Sequence, residues 1–477
     1  MHVCFVATEA VPFAKVGGLA DVIGALPAAL RALGHRVTVL LPFHGGIDPR
    51  ARSLARRLSP VPVTLGPASW PFEVWEARLG TGVDVVLLRQ PALFEQLPIY
   101  TGGPADPPRY AAFCRAALEV LAERGTPVDV LHAHDWPAAL APYYLARGLR
   151  ERPALAGTRV LLTIHNIAHQ PLVEAGELGR LDLRPADFHP GGFEFYGRIS
   201  PLKAGVLWSD RVTTVSPSYA AELLTPEGGH GLDGVLRALP RPVVGILNAL
   251  DPQVWNPFTD PHLPHAFSAD ALEGKAGCKL ALQRRLGLEP RPEATLAAVV
   301  ARLAPQKGID LVAAVVPQLA AADVQLVVVG DGDAPLREEL ERLSAAEPGR
   351  VRLVTGFEEP TARLAYAGSD LFLVPSRYEP CGLTQLIAMR YGSVPVARRT
   401  GGLADTVLDV DARLETGTGF TFDPVDPDAL LGAVQRAVAA RADRPAWARL
   451  VRRLMRLDHS WDVAARQYDE LYRTLGD

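Results

Sequence analysis

Lysine is nearly absent from this chain. Of 49 basic residues only five are lysines, at Lys15, Lys203, Lys275, Lys279 and Lys307, and arginine stands everywhere else. A lysine kept against that bias marks a place where a compact ammonium is wanted rather than a planar fork. Two of the five, Lys15 and Lys307, lie in loops beside glycine. Cysteine is scarce as well. Cys4, Cys114, Cys278 and Cys381 form no CxxC pair, which leaves no disulfide framework and reads as four free thiols in a reducing cytoplasm. No apolar run reaches membrane-spanning length. The opening residues, MHVCFVATEAVPFAK, lack the basic n-region and long h-region of an export signal and read as a buried first strand. A net charge of −4, from 49 basic and 53 acidic residues, argues against a protein built on general nucleic-acid affinity. The first strand is not followed by G-x-G-x-x-G, so a dinucleotide-binding dehydrogenase is a weak reading.

What is present is a strand–helix rhythm on a globular scale. The chain has 477 residues, 48% apolar and 21% charged, which exceeds one compact core and predicts two or three domains. Residues 2–8 read as a strand, 9–18 as a loop, 19–33 as a helix with apolar residues at helical spacing, and 37–41 as the next strand. That is the opening of a doubly wound sheet. Further strands are expected at 83–88, 128–133, 160–164 and 212–215, with Ser216 placed to cap a helix. Residues 241–248 read as a linker, after which the rhythm restarts with strands at 296–300 and 324–329. In K-V-G-G-L, two glycines and the Lys15 ammonium stand at a helix start, the equipment for a diphosphate; a tight turn with a surface lysine is the plain alternative. His132 and His134 alternate on one strand and share a face, but a third ligand at metal spacing is missing, so no metal is expected there.

The most informative stretch is 374–407, VPSRYEPCGLTQLIAMRYGSVPVARRTGGLADTV. An apolar strand breaks at Pro375, a polar loop carries Arg377, Glu379, Pro380 and Gly382, and a helix follows from about 383 to 390. The first amides of such a helix have no internal partner. A carboxylate beside an anion site is repulsive, so Glu379 suggests a neutral, hydroxyl-rich ligand such as a sugar. The run G-G-L-A-D occurs at 17–21 and again at 401–405, as two halves built on similar units would show.

The runs RYEPCGLTQL and RRTGGLADTV resemble the donor-site signature of bacterial and plant glycogen/starch synthases, and the match extends over nearly the whole chain. The resemblance implies an α/β protein of the GT-B fold, with two doubly wound Rossmann-like domains facing a deep cleft. The expected divisions are 1–243, an acceptor-side domain, 244–458, a nucleotide-sugar domain, and 459–477, a helix crossing back to the first. It implies a cytoplasmic retaining hexosyltransferase that moves glucose from ADP-glucose to an α-1,4-glucan and releases ADP, with no metal or other cofactor. Partners would be ADP-glucose and glycogen or a malto-oligosaccharide, without nucleic acid or membrane, in a monomer or homo-oligomer. Carried over residue by residue, Arg302 and Lys307 in R-L-A-P-Q-K-G meet the diphosphate, Glu379 holds glucose hydroxyls, the Gly382 and Leu383 amides lie on phosphate, and Cys381 and Thr384 are further substrate-binding candidates. Lys15 and Gly18 take diphosphate and glucose contacts, and Asp21, in the helix that follows, is a further substrate-binding candidate. Asp135 lies at the C-terminal edge of the first domain's sheet, facing the cleft, His165 touches the transferred glucose with Asn166 beside it, Asn248 stands at the linker, and Phe357 takes the base. The irregular span 168–197, with Tyr196 and then Lys203, resembles the acceptor-side insertion.

Three departures qualify that match. Many GT-B enzymes carry a second Glu eight residues after the first, where this chain has Ile387, and this weakens a UDP-sugar reading. The common N-G-[IV]-D is Asn248-Ala249-Leu250-Asp251 here. Phe357 replaces a tyrosine that stacks on the base in many bacterial synthases. Beside the ADP-glucose synthase stand a UDP-glucose-dependent GT-B transferase and a catalytically inactive sugar-nucleotide- or glucan-binding protein. The intact set Lys15, Arg302, Lys307 and Glu379 argues against the inactive protein.

Overall fold

The computed structural model describes residues 1–356 and 358–476. The chain divides into two compact units, Met1–Leu247 together with the chain from Trp461 onward, and Asn248–Ser460.

The first unit is built on a ten-stranded sheet. His2–Val6 lies at its middle, between Arg36–Pro42 on one side and Val130–His134 on the other. Outward from Val130–His134 come Arg159–Ile164, Arg211–Thr214 and Val244–Gly245, all parallel. On the other side Asp84–Arg89 continues the parallel run, and Ala68–Arg78 then turns antiparallel with Ala55–Arg56 and Val61–Leu65. The central strands are buried on both faces, as in HVCFV, where every residue is buried, the pattern of a sheet covered by helices on both sides. The antiparallel extension was not anticipated, although Val61–Leu65 alternates buried and exposed residues as a half-solvated strand should. Helix Trp461–Arg473 returns to this unit. Tyr472 Oη lies 2.8 Å from His132 Nδ1, and Asp469 lies 2.9 Å from His35 Nε2.

The second unit holds six parallel strands in the order Val351–Val354, Val324–Val329, Thr295–Val300, Leu371–Val374, Val394–Arg398, Phe420–Phe422. This is the doubly wound order with its reversal between Thr295–Val300 and Leu371–Val374. Its core is dominated by Val, Leu, Ile and Ala from the strands and both helix layers.

The divisions differ from the sequence reading at two places. The stretch 241–248 is not simply a linker. Val244 and Gly245 pair with Thr213 and Thr214, and Ile246 N donates to Thr214 O at 2.9 Å, so backbone pairing carries the first unit on to Leu247. Similarly, Leu250 N donates to His459 O at 2.7 Å, which keeps 459 with the second unit.

Candidate active site

In an open doubly wound sheet, ligands bind beyond the carboxyl ends of the strands where their order reverses. In the second unit the two loops that leave that point are 301–308 and 375–383. Gly308 shows how closely they meet: its φ is +65°, and a Cβ there would lie 2.0 Å from Pro375 O. Arg377 straps the loops together. Its guanidinium grips Asp310 through two bonds of 2.7 and 2.6 Å and donates to Pro305 O at 2.6 Å, while its backbone N–H donates to Gln306 O at 2.8 Å. The Arg377 hydrogen bonds hold the Asp310 carboxyl below its usual range.

This strap sets Lys307 against Glu379. Lys307 Nζ donates to Glu379 Oε2 at 2.6 Å, and Ser376 Oγ donates to the same oxygen at 2.8 Å. Glu379 is 6% exposed, yet its other oxygen, Oε1, has no protein partner among the described residues and is not among the fully buried unpaired atoms. One carboxylate oxygen therefore anchors the cation while the other is left open. Arg302 is exposed and makes no hydrogen bond or ion pair among the described residues, so its charge is unneutralised.

The following turn is held from below. Glu379 O accepts the Gly402 N–H at 3.0 Å, and Gly402 is required by proximity, since a Cβ would fall 2.2 Å from Cys381 O. Gln385 Nε2 donates to Cys381 O at 3.1 Å, Gly382 O at 2.9 Å and Thr406 Oγ1 at 3.1 Å. Leu383 and Thr384 are half-buried at the start of helix Thr384–Arg390. The Cys381 thiol is pushed up to about 12 by burial, with the Asn248 backbone N–H against it, so it stays protonated and is no nucleophile. Asn248 is 9% exposed and its Oδ1 has no partner among the described residues. Ile387 packs into the hydrophobic core. Phe357 lies outside the described residues.

The first unit has its own reversal, between His2–Val6 and Val130–His134, and its candidates sit beyond it. Lys15 Nζ and Asp21 Oδ1 are 2.6 Å apart, both partly exposed, so two of the sequence candidates are paired with each other. Gly18 is exposed at the first position of helix Gly18–Ala32. Beneath the glycine turn lies Glu9, whose Oε2 accepts the N–H groups of Val16 at 2.5 Å and Gly17 at 2.9 Å, while Tyr100 Oη donates to Oε1 at 2.7 Å. Asp135, at φ +56°, accepts the backbone N–H groups of His165 at 2.6 Å and Asn166 at 3.3 Å. Burial pushes its carboxyl up to about 7. His165 is lowered to about 3 by burial and is neutral over any working pH. His132 and His134 are fully buried. No group of three or more His, Cys, Asp or Glu side chains among the described residues is placed to hold a metal.

Sequence reasoning did not single out Glu9, Ser376 or Gln385, which shape the two loops. The only signal for Glu9 is an acid directly after an apolar strand and eight residues ahead of the glycine pair.

Two family models match the chain. Residues 2–238 match the starch synthase catalytic domain, and residues 294–440 match glycosyl transferases group 1. A glycogen synthase of Anaeromyxobacter dehalogenans is 46% identical over 480 residues, covering 100% of both chains. That of Syntrophotalea carbinolica is 43% identical over 99% of this chain and 98% of its own. Among solved structures, the catalytic domain of starch synthase IV from Arabidopsis thaliana, bound to ADP and acarbose, superposes with a TM-score of 0.93 at 36% identity, covering 100% of this chain and 99% of that one. With full-length relatives at that identity and the same two-unit fold, this chain belongs to the glycogen/starch synthase family of GT-B glycosyltransferases.

Proposed function

We propose that the chain transfers glucose from ADP-glucose to the non-reducing end of an α-1,4-glucan, with retained configuration and release of ADP, in the cytoplasm and without a metal ion. The observation that carries this reading is the Lys307–Glu379 pair at the sheet reversal, with the unneutralised Arg302 on the same loop as Lys307. Departure of a nucleoside diphosphate develops negative charge on phosphate, and fixed cations there lower the barrier. Lys307 and Arg302 supply that charge, and the open oxygen of Glu379 accepts a sugar hydroxyl. Support for the adenine nucleotide comes from the starch synthase IV relative, which is bound to ADP and acarbose.

The other roles follow the family match. Gly382, Leu383 and Thr384 approach phosphate, Cys381 and Asn248 shape the turn behind them, and Phe357 stacks on the base. In the first unit Lys15 and Gly18 contact the donor and Asp21 holds Lys15 in place. His165 and Asn166 meet the sugar, and Asp135 fixes their backbone. Retention is assigned to a front-face route.

The test is a transfer assay with glycogen and either ADP-glucose or UDP-glucose, reading released nucleotide. ADP release well above UDP release supports the proposal. Preferential UDP release replaces it with the UDP-glucose transferase, and binding without turnover replaces it with an inactive sugar-nucleotide-binding protein.

A further inference from the structure

Beneath His165 lie two histidines that the proposed chemistry does not use. His134 Nδ1 is 2.9 Å from His165 Nε2. The His134 ring stacks on Phe5 at 5.3 Å and 11°, lies 4.0 Å from the His132 ring, and leaves its Nε2 buried without a partner among the described residues. His132 is saturated elsewhere, with Nδ1 at 2.8 Å from Tyr472 Oη and Nε2 at 2.6 Å from Thr163 Oγ1. It has no ring nitrogen to spare for His134.

The proton arrangement follows from these contacts. Burial drives the His134 imidazole well below its ordinary range, so it is neutral and carries one ring proton. Were that proton on Nε2, an N–H donor would be buried with nothing to accept it, whereas a bare ring nitrogen in the same place leaves only an acceptor unmet. Orphaned buried donors are the rarer and costlier case. The proton is therefore on Nδ1, which donates to His165 Nε2. His165, also neutral, must then hold its own proton on Nδ1. That nitrogen has no protein partner among the described residues and is not among the fully buried unpaired atoms. It is an open N–H donor at the carboxyl edge of the sheet, on a backbone already pinned by Asp135.

We infer that His134 is a positioning residue that fixes His165 in its Nδ1–H form, so that His165 donates a hydrogen bond to an oxygen of the transferred sugar instead of accepting one. The target is a hydroxyl or ring oxygen of a neutral hexose. Because neither imidazole ionises near neutrality, this donor persists across the working pH range. The inference rests on the proposed contact between His165 and the sugar, but the proton arrangement is a property of the free protein.

The first measurement is accordingly made without substrate. In the full chain labelled with 15N-histidine, proton–nitrogen correlations should show His165 and His134 each protonated on Nδ1 and bare on Nε2. Protonation of His165 at Nε2 overturns the inference, whatever the transfer assay shows. The second compares His134→Leu with His134→Asn, whose carboxamide nitrogen can reach the place of Nδ1. His134→Leu should lower kcat by about tenfold or more, the loss of one hydrogen bond in the transition state, with a smaller change in KM for ADP-glucose. It should also leave His165 as a mixture of tautomers. His134→Asn should restore both the single tautomer and most of kcat. A His134→Leu protein with full kcat and an unchanged His165 tautomer overturns the role of His134. If the labelled protein shows the expected tautomers but the parent transfers no glucose from either donor, the proposed function fails and the tautomer assignment stands.

Discussion

Lys307 Nζ lies 2.6 Å from Glu379 Oε2, although the two residues are 72 positions apart in sequence. The pair joins two loops from neighbouring strands at the reversal of the second sheet. On the proposed function a buried carboxylate beside that cation has a direct consequence: bound diphosphate and Glu379 would compete for one ammonium. The pair would then keep Lys307 in place before the donor arrives and share its charge afterwards.

The strap across these loops should be felt in turnover. Arg377→Lys keeps the charge but loses the fork that spans Asp310 and Pro305 O. We expect kcat/KM to fall about tenfold, the worth of one to two hydrogen bonds, with faster hydrogen exchange at amides 301–308. Unchanged exchange there would show that the strap does not order the loop.

Gly308 leaves no room for substitution. Gly308→Ala places a methyl 2.0 Å from Pro375 O at a φ of +65°, so the loops must part. Stability should drop by more than about 1 kcal/mol, read from urea denaturation, and transfer should be lost with it. A stable, active alanine variant would contradict the close approach of the loops.

Asp135 gives a pH signature. Its carboxyl is raised from an ordinary value of 3.8 to about 7, so between those values the folded chain holds a proton that the unfolded chain has released. The unfolded state binds fewer protons in that window, and stability falls as pH rises through it. Asp135→Asn retains an Oδ1 acceptor for the His165 amide, tolerates the left-handed backbone, and removes the titration. Between pH 4 and 7 the denaturation midpoint should therefore fall less, or rise more, with pH in the variant than in the parent. Equal slopes would place the Asp135 carboxyl in its ordinary range.

On the proposed function, fixed cations at the departing phosphate make a metal ion unnecessary. Transfer should survive exhaustive EDTA treatment, and activity recovered only on adding Mg²⁺ or Mn²⁺ would contradict it.

Much of this organisation was legible in the chain, and what was not has physical causes. The parallel strands announce themselves because burial on both faces makes them continuous apolar runs, as in VQLVVV at 324–329. Lys307 and Glu379 could each be singled out, one as a rare lysine and the other as an acid in a glycine loop. Their contact could not, because it depends on strand order, and two loops far apart in sequence become neighbours only when the sheet reverses between them. Lys15, in the glycine loop, and Asp21, in the first turn of the following helix, could likewise be singled out but not as partners. Glu9 gave no usable signal, since its work is to accept amides of a turn that a linear reading leaves shapeless. The unit boundary near 244 was missed because a two-residue edge strand, Val244–Gly245, is too short to show any periodicity.

The decisive measurement is calorimetry of ADP binding beside steady-state transfer for Glu379→Gln and Lys307→Ala. Glu379→Gln keeps the side chain's size but removes the charge that competes with diphosphate for Lys307. ADP should bind as tightly as in the parent or up to about tenfold tighter, while kcat falls about a hundredfold or more as the sugar loses its carboxylate. Lys307→Ala should weaken ADP binding by about tenfold or more and lower kcat as well. If Glu379→Gln instead weakens ADP as much as Lys307→Ala does, or transfers glucose at a near-normal kcat, the pair is not the centre of the nucleotide-sugar site.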